Sequence, residues 1–440
     1  MSISNNFPAV RPSLLLDFAN TKTLDPRITF TRASTASYYD GKTVAKAEEN
    51  LQIRSQDFDY WTQAAVTVTA NSTTAPDGTS TADTITENTA NSTHSMYLTF
   101  SANSGLAYTW SVYAKANGRT KFRFVNQATA VVYQVDFDLT AVTATNAAGT
   151  GTATITSVGN GWYRCTATAT STGSGTGYSQ FNLLDATGTL SYTGDGISGI
   201  FLWGAQVEQR SSVTAYTATT TAPITNYIPA LQTAAANTAR FEHNPVTGES
   251  LGLLIEESRT NLLTYSSDMT QGAWVKGFTS LTGAIDIAPD GTQTAGKLVP
   301  DTSSNRHRMY ESATVVTATS YTMSVYAKAA GYSLIALRED AATGNSASFD
   351  LNAGTVLSTS GGTATITSVG NGWYRCTFTS TSSGTAFNLG VQVLSPSYVA
   401  GGNIVAAWIG DGWSGIYIWG AQLEAGSFAT SYIPTTSAQV

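Results

Sequence analysis

The fifteen-residue stretch TATITSVGNGWYRCT occupies Thr152–Thr166 and occurs again, letter for letter, at Thr363–Thr377. The two copies start 363 − 152 = 211 residues apart. A catalytic loop is seldom needed twice in one chain, whereas a packing unit often is. The duplication therefore predicts a repeated structural unit.

Within the repeated stretch, the residues follow the two-residue period of a β-strand. Trp162, Arg164 and Thr166 fall on one face of such a strand, and Tyr163 and Cys165 fall on the other. The Gly-Asn-Gly sequence before them tolerates positive φ, as a tight turn requires. The stretch therefore predicts a β-hairpin, and we expect the aromatic rings shared by both copies to fill two hydrophobic cores.

Matched segments outside the hairpin show that the duplication covers most of the chain. The longest pairs are Tyr108–Lys115 with Tyr321–Lys328 and Gly199–Glu208 with Gly415–Glu424. Each copy is the size of an independent domain and too long for a solenoid repeat. We predict an N-terminal arm and hairpin at 1–45, domain 1 at 46–222, a linker and hairpin at 223–256, and domain 2 at 257–440.

Many short strand-like segments, separated by Gly, Thr and Ser, predict an all-β protein. We expect two tandem antiparallel jelly-roll β-sandwiches after a short extended N-terminal attachment segment. Turn signals at Tyr39–Lys42 and Val246–Glu249 predict a hairpin before each domain. One short helical pattern lies at Ala230–Ala239.

The composition excludes several partners. The 440 residues carry a net charge of −7 with only 22 Lys and Arg, so we expect no nucleic acid and no membrane surface as partner. The N-terminus lacks the basic region and the long apolar run of a signal peptide. We expect synthesis in a host cytoplasm.

Cysteine and histidine offer no metal or redox chemistry. Cys165 and Cys376 occupy matching places in the two copies, which predicts two buried, unpaired thiols. The three histidines stand alone in the sequence, without a second ligand at metal-binding spacing: His94, His243 and His307. We therefore expect no cofactor.

Acidic residues give two weaker signals. Four Asp-Gly pairs begin at Asp77, Asp195, Asp290 and Asp411. Their oxygens could bind calcium, but Asp-Gly is also the ordinary sequence of a tight turn, and we favour turns. Asp136 and Asp138 share a strand face, as a glycosidase pair would. The second copy keeps only Asp350, with Ser348 at the other place. We expect a solvated strand face and no enzyme.

Three segments resemble strands of jelly-roll carbohydrate-binding modules: YTWSVYAKA, GNGWYRCTATAT and GIFLWGAQVE. Trp203-Gly and Trp419-Gly stand where many such modules have acidic residues, so sites that depend on those acids do not carry over. Residues 11–41, 252–269 and 420–440 resemble tailed-bacteriophage virion proteins of the head fibre, head spike or tail-associated type.

The resemblance implies a structural protein on the virion surface, either a head fibre or decoration or a tail-associated appendage, with weak glycan adhesion to the host. It implies other virion proteins of the capsid, neck or tail as partners, host cell-surface glycans, and a homo-oligomer, with a trimer expected. A tail receptor-binding adhesin is the alternative, and a glycan-degrading enzyme is less favoured.

Candidate contact residues follow from the same interpretation. Aromatic residues that differ between the copies are not required by a shared core, so they are candidates for glycan stacking: Trp110, Tyr133, Tyr178, Tyr192, Tyr398, Trp408 and Trp413. Trp110 faces Met323 in the comparison of the copies, and Trp413 faces Ile197. The apolar run of the N-terminal arm is the candidate virion dock: Leu14, Leu15, Leu16 and Phe18.

Overall fold

The computed structural model describes residues 16, 18–128, 131–340 and 344–440. Its contacts form two compact units, which we call the first unit (Glu48–Asn226) and the second unit (Met1–Ala47 with Tyr227–Val440). Among the described residues, no helix has the length and apolarity to cross a membrane.

The chain begins with short elements. They are α1 (Phe18–Thr21), β1 (Ala36–Tyr38) and β2 (Val44–Asn50). A 3-10 helix at Phe58–Tyr60 then precedes the strands of the first unit.

Fourteen strands follow in the described part of the first unit: β3 (Thr62–Ala64), β4 (Val66–Thr73), β5 (Ala82–Glu87), β6 (Asn91–Thr93), β7 (Ser95–Ala102), β8 (Ala107–Asn117), β9 (Lys121–Ala128), β10 (Val131–Asp138), β11 (Thr143–Ala148), β12 (Thr152–Gly159), β13 (Trp162–Thr170), β14 (Gly175–Leu184), β15 (Ser191–Thr193) and β16 (Gly199–Glu208). One six-stranded sheet has the order β11-β10-β9-β14-β7-β3 and the other β12-β13-β8-β16-β5-β4. Strands β6 and β15 form a separate pair.

The strand order is that of a jelly roll. Strands β5, β7, β8 and β9 change sheet at each step along the chain. On the return, β13 joins β8, β14 inserts between β9 and β7, and β16 inserts between β8 and β5. These strand pairs are all antiparallel, and the double Greek key that they form confirms the predicted fold class for the first unit.

The remaining strands belong to the connection and to the second sandwich: β17 (Ile224–Pro229), β18 (Gln232–Ala234), β19 (Phe241–His243), β20 (Ser250–Leu253), β21 (Val275–Gly277), β22 (Thr279–Asp286), β23 (Ala295–Pro300), β24 (Ser304–Asn305), β25 (Arg308–Thr314), β26 (Ser320–Ala330), β27 (Leu334–Glu339), β28 (Ser346–Asp350), β29 (Thr355–Ser360), β30 (Gly362–Gly370), β31 (Trp373–Thr381), β32 (Ala386–Val393), β33 (Trp408–Ile409) and β34 (Gly415–Ala425). The sheets are β21-β25-β32-β27-β28-β29 and β22-β23-β34-β26-β31-β30. Read in chain order, they give the same jelly roll again.

The repeated stretch forms the predicted hairpin in both units. Thr152 pairs with Thr168 and Ile155 with Cys165, and the second copy repeats this register from Thr363. The turn residues Gly159, Asn160 and Gly161 have φ of 90°, 50° and 77°. Only residues that tolerate the left-handed region fit this turn, so the Gly-Asn-Gly sequence decides where the chain reverses.

Each sandwich has an apolar core between its two sheets. In the first unit, Trp61 stacks on Phe181 with ring centroids 5.5 Å apart, and Cys165 lies in the same cluster. In the second unit, Trp274 and Cys376 occupy the corresponding core. Both thiols are buried and unpaired, as the sequence predicts.

Some shared tryptophans lie outside this core, contrary to the sequence expectation. Trp162 and Trp203 form a smaller cluster with Ala75 and Ala82 on the other side of their sheet. Their indole N–H groups donate to Thr74 O at 3.1 Å and to Thr81 Oγ1 at 2.9 Å. The alternating pattern correctly placed Trp162 and Cys165 on opposite faces of their strand, but it did not show that both faces of this sheet are covered.

A segment after each closing strand covers that outer face. We call residues 209–219 the first strap and residues 426–435 the second strap. Tyr216 of the first strap packs on Trp203 with ring centroids 4.6 Å apart, and its hydroxyl lies 2.6 Å from Ser55 Oγ. Tyr432 packs on Trp419 at the same 4.6 Å in the second strap. The packing of a strap tyrosine on a tryptophan of the closing strand is therefore the same in both units.

One buried asparagine in each unit holds the strap to the closing strand. The Asn50 amide donates to Ala205 O at 3.0 Å and to Thr217 O at 2.8 Å. Its carbonyl accepts from the backbone N–H groups of Gln52 and Val207. Asn261 makes the corresponding four bonds in the second unit: to Ala421 O and Ile433 O, and from the N–H groups of Leu263 and Leu423.

The connecting segments differ from several expectations. The turn at Tyr39–Lys42 does not join a hairpin, because β1 pairs with β18 instead. The turn at Val246–Glu249 does join one, between β19 and β20. The residues expected to be helical at Ala230–Ala239 contain strand β18, whose pairing with β1 overrides the local pattern. The described parts of the predicted arm and most of the predicted linker group with the second sandwich.

Thiol labelling tests the two buried cores. We expect neither cysteine to react with a thiol reagent in the folded protein at pH 8, because burial removes access and raises the pKa of Cys165 and Cys376. Both should react in denaturant. Since each unit has one thiol, mass spectrometry of the labelled peptides follows the opening of each unit separately. Rapid labelling of either thiol in the native protein would contradict this packing.

The asparagine contacts predict a local loss of stability. Asn50→Ala removes four hydrogen bonds inside the protein, so we expect the first unit to lose about 3 kcal/mol of unfolding free energy. Labelling of Cys165 should accelerate strongly in this variant, and Asn261→Ala should do the same for Cys376. Asn103→Ala, at an exposed side chain, is the matched control and should change neither rate. Equal rates in Asn50→Ala and Asn103→Ala would rule out this role.

Candidate functional site

The sheet opposite the strap has an open outer face in the first unit. Along β7, β9, β10 and β14, alternate residues enter the core, and the residues between them point outward. The outward residues combine aromatic, amide and charged side chains: Tyr97, Thr99, Arg123, Gln134, Asp136, Tyr178 and Gln180. Asn182, on the same face, is buried. We call this surface the open face of the first unit.

Two tyrosines lie next to each other on this open face. Tyr97 is directly opposite Gln180 on the neighbouring strand, and Tyr178 is opposite Thr99, so the two tyrosines are diagonal neighbours. Their ring centroids are 5.9 Å apart. Tyr97 is 39% exposed, and Tyr178 is half-buried. Large rings that stay accessible on a strand face are available to a ligand.

Polar groups beside the tyrosines are held in place by their own hydrogen bonds. Arg123 binds Asp136 through two bonds of 2.6 and 2.9 Å, and this bond raises the pKa of Arg123. The Gln180 amide donates to Asn182 Oδ1 at 2.8 Å. Arg123, Asp136 and Gln180 keep further donors or acceptors, so the face can bind hydroxyl groups.

The second unit lacks the tyrosine pair. Its register places Tyr310 opposite Gly390 and Ser312 opposite Asn388. Tyr310 therefore corresponds to Tyr97, while Asn388 stands where the first unit has Tyr178. The sequence criterion missed Tyr97 because it selected aromatics without a counterpart in the other copy.

Three of the predicted glycan contacts are buried, which corrects the sequence prediction: Trp110, Tyr133 and Tyr192. Trp110 is 1% exposed and packs edge-on against Phe100, with ring centroids 6.0 Å apart. Tyr133 is 2% exposed in the same core. Trp110 differs from its counterpart Met323 because both side chains fill the interior and either shape can be packed there.

Tyr192 and Trp408 prove to be counterparts of each other. The carbonyl of Tyr192 lies 3.2 Å from His94 Nε2, and that of Trp408 lies 3.0 Å from His307 Nε2. Their rings also contact these histidines, at 4.7 and 4.8 Å between centroids. Tyr192 is 9% exposed and donates to Glu87 at 2.6 Å, and Trp408 is half-buried. These rings support their histidines.

An insertion separates these two counterparts in sequence. The offset between the copies is 392 − 182 = 210 at Asn182 and Gln392, but 408 − 192 = 216 at Tyr192 and Trp408. The extra residues lie in the loop 395–407 of the second unit. The amide of Gln392 donates to Ile404 O, so this loop lies against the outer face of its sheet.

The two remaining candidates are partly exposed. Tyr398 lies in that loop, with its hydroxyl 3.1 Å from Ser358 Oγ and 3.2 Å from Ser348 Oγ. Trp413 follows an Asp-Gly turn, where its N–H donates to Asp411 at 2.9 Å. Ile197, its counterpart, makes the same bond to Asp195. Glycan contact by Tyr178, Tyr398, Trp408 and Trp413 stays a prediction.

The predicted virion dock is described only in part. Leu14 and Leu15 lie outside the described residues. Leu16 is 49% exposed, and Phe18 begins α1 with its ring 6.3 Å from that of Phe241. The docking role of these residues stays a prediction.

The acidic candidates are engaged within the protein. Asp138 accepts from the N–H groups of Thr140 and Ala141, while Asp136 is held by Arg123. The carboxylates of the four Asp-Gly turns accept from N–H groups two residues further on. In the described ranges, no group of three metal-ligating side chains is found.

Comparisons with known proteins show little similarity. No protein-family model and no curated protein matches the chain. Among solved structures, the N-terminal CBM22-1–CBM22-2 tandem domain of Xyn10C from Paenibacillus barcinonensis matches with a TM-score of 0.24 and 11% identity, over 87% of this chain and 99% of that one. The ANXUR2 extracellular domain from Arabidopsis thaliana matches with a TM-score of 0.22 and 11% identity, over 92% and 99%. The fold assignment rests on the strand order described above.

Proposed function

We propose that the protein binds glycans through the open face of its first unit. The observation that carries this proposal is the pair formed by Tyr97 and Tyr178, whose rings lie side by side on a strand surface that the strap leaves uncovered. Two adjacent rings on an exposed strand surface give a ligand more contact area than a single exposed tyrosine does, and contiguous apolar patches of this kind often mark binding sites.

The chemistry of a sugar fits this surface. A pyranose presents an apolar C–H face, which packs on a tyrosine ring, and a rim of hydroxyls, which need both donors and acceptors. Gln180 supplies both kinds of group, and its bond to the buried Asn182 limits the entropy that its side chain loses on binding. Arg123 and Asp136 offer charge-assisted hydrogen bonds at the same surface.

The site of action in this proposal is the surface of a tailed-bacteriophage virion. It is supported by the resemblance of residues 11–41, 252–269 and 420–440 to virion proteins of the head fibre, head spike or tail-associated type. The protein would serve as a structural appendage, associate with itself and with other virion proteins, and lack enzymatic activity. A tail receptor-binding adhesin is the second candidate, supported by the same surface tyrosines.

Weak individual contacts suffice on a virion. A millimolar dissociation constant corresponds to about −4 kcal/mol, which two rings and a few hydrogen bonds readily supply. Display of many chains on one particle raises the avidity by about 10²–10⁴ without further contacts. The proposal therefore requires no deep pocket on the open face.

Substitution of the tyrosine pair tests glycan binding. We expect purified protein to bind neutral oligosaccharides on a glycan array, and the double variant Tyr97→Ala with Tyr178→Ala to bind the best of them at least tenfold more weakly by calorimetry. Tyr227→Ala removes a more exposed tyrosine elsewhere and should leave the affinity unchanged. An array without any bound glycan, or equal affinities for the double variant and the wild type, would refute the proposal.

Electron microscopy tests the location. Antibody against the protein should label purified particles of the phage that encodes it, at the head, the neck or the tail. Particles that carry no label, and whose protein content lacks this chain by mass spectrometry, would contradict the virion role but leave glycan binding standing.

A further inference from the structure

Three arginines of the second unit converge on one aspartate. Arg306 binds both oxygens of Asp340 through its Nη2, at 2.6 and 2.9 Å. Arg308 Nη1 lies 2.6 Å from Oδ2, and Arg338 Nε lies 2.6 Å from Oδ1. We call these four residues the arginine cluster.

The positive charge of the three arginines exceeds the negative charge of Asp340. Three guanidinium groups and one carboxylate leave 3 − 1 = +2 within these four residues. Burial lowers the pKa of Arg306, Asp340 raises it, and Arg308 and Arg338 lower it further. Asp340 is thus shared by three cations that repel one another.

Neighbouring residues fix the cluster at the surface. Asp340 occupies the space above Gly390, where a Cβ would come within 3.1 Å of Oδ2. The Arg308 guanidinium lies 5.1 Å from the centre of the Tyr310 ring, and Arg306 Nε donates to Gln392 at 2.6 Å. The side chain of Asp340 is 2% exposed, whereas the three arginine side chains are 19–32% exposed. The cationic groups therefore reach solvent while their anion does not.

The fold itself does not require this arrangement. In the first unit, the register of the corresponding strands places Thr93, Ser95 and Val125 where the second unit has the three arginines. That unit forms the same jelly roll without them. Three arginines gathered around one carboxylate at a partly exposed surface are costly to maintain for stability alone, since buried like charges repel.

We propose that the arginine cluster binds the anionic group of an acidic saccharide, a carboxylate or a sulfate. The planar guanidinium forks match the oxygens of such groups, and their partial desolvation strengthens the contact. Tyr310, which corresponds to Tyr97 of the first unit, lies beside the cluster and provides a ring for the sugar that carries the anion. The saccharide part of this inference rests on the proposed glycan binding, whereas the anion part stands alone.

Calorimetry with three probes tests the inference on the full-length protein. The probes are sodium sulfate, an oligosaccharide that contains glucuronate, and a neutral oligosaccharide of equal length. We expect the wild type to bind sulfate and the acidic oligosaccharide, with affinity that falls as salt rises. Arg308→Gln with Arg338→Gln should weaken both at least tenfold and leave the neutral oligosaccharide unaffected.

Control variants separate binding from folding. Arg27→Gln removes one guanidinium charge from an exposed ion pair with Asp25 and should leave the affinity for all three probes unchanged. Arg308→Lys with Arg338→Lys keeps the charge that Asp340 requires but loses the forked geometry, so we expect intermediate affinity for sulfate. Thermal unfolding of each variant shows that it is folded.

The outcomes distinguish the two proposals. Sulfate and acidic oligosaccharide bound equally by the Arg→Gln double variant and the wild type, or by neither, would overturn the inference. Loss of neutral oligosaccharide binding in the Tyr97 and Tyr178 variant concerns only the proposed function of the first unit. Binding of sulfate without the acidic oligosaccharide would reject the saccharide assignment.

Discussion

Each sandwich depends on the four hydrogen bonds of one buried amide. Asn50 joins the segment that enters the first unit to the closing strand β16 and to the first strap, and Asn261 does the same in the second unit. An amide suits this place because it offers two donors and an acceptor with two lone pairs within one rigid plane. Once the strap is held, Tyr216 covers Trp203, and the outer face of that sheet becomes a second interior.

This constraint decides where a ligand can bind. A jelly roll has two outer sheet faces, and the strap occupies one of them, with Arg164 donating to Thr214 O at 2.7 Å across it. The opposite sheet keeps its outer face open in the first unit. In the second unit the longer loop 395–407 lies over part of that face, and the arginine cluster lies beside it. The duplicated residues therefore build the scaffold, and the residues that differ shape the two open faces.

The sequence predicted the parts of the fold that depend on local pattern. The Gly-Asn-Gly turns, the alternation in β13 and the buried thiols at Cys165 and Cys376 follow from neighbouring residues alone, and the structure confirms them. Alternation cannot tell which face of a strand points inward, and here both faces of one sheet are covered. Trp162 therefore lies under a loop and not in the main core.

The candidate site was less predictable, because the local sequence pattern does not show which side chains are buried or brought together by strand pairing. Trp110 differs between the copies yet is buried, because a core accepts different shapes of similar volume. Tyr192 and Trp408 looked unmatched because an insertion shifts the offset by 216 − 210 = 6 residues between them and the preceding strand. Arg306 and Arg308 share a face by spacing, but only the pairing of β25 with β32 and of β32 with β27 brings Arg338 to them.

The overall charge of the chain does not oppose an anionic ligand at this cluster. The net charge of −7 is spread over 440 residues, and at physiological salt charges further than about 8 Å apart are largely screened. A ligand at the surface therefore responds mainly to the groups within that distance, and the four residues of the arginine cluster alone sum to +2. Because the guanidinium groups are partly buried, solvent screens them less than it screens the acidic residues scattered over the surface. Local geometry, and not composition, sets the sign of the ligand.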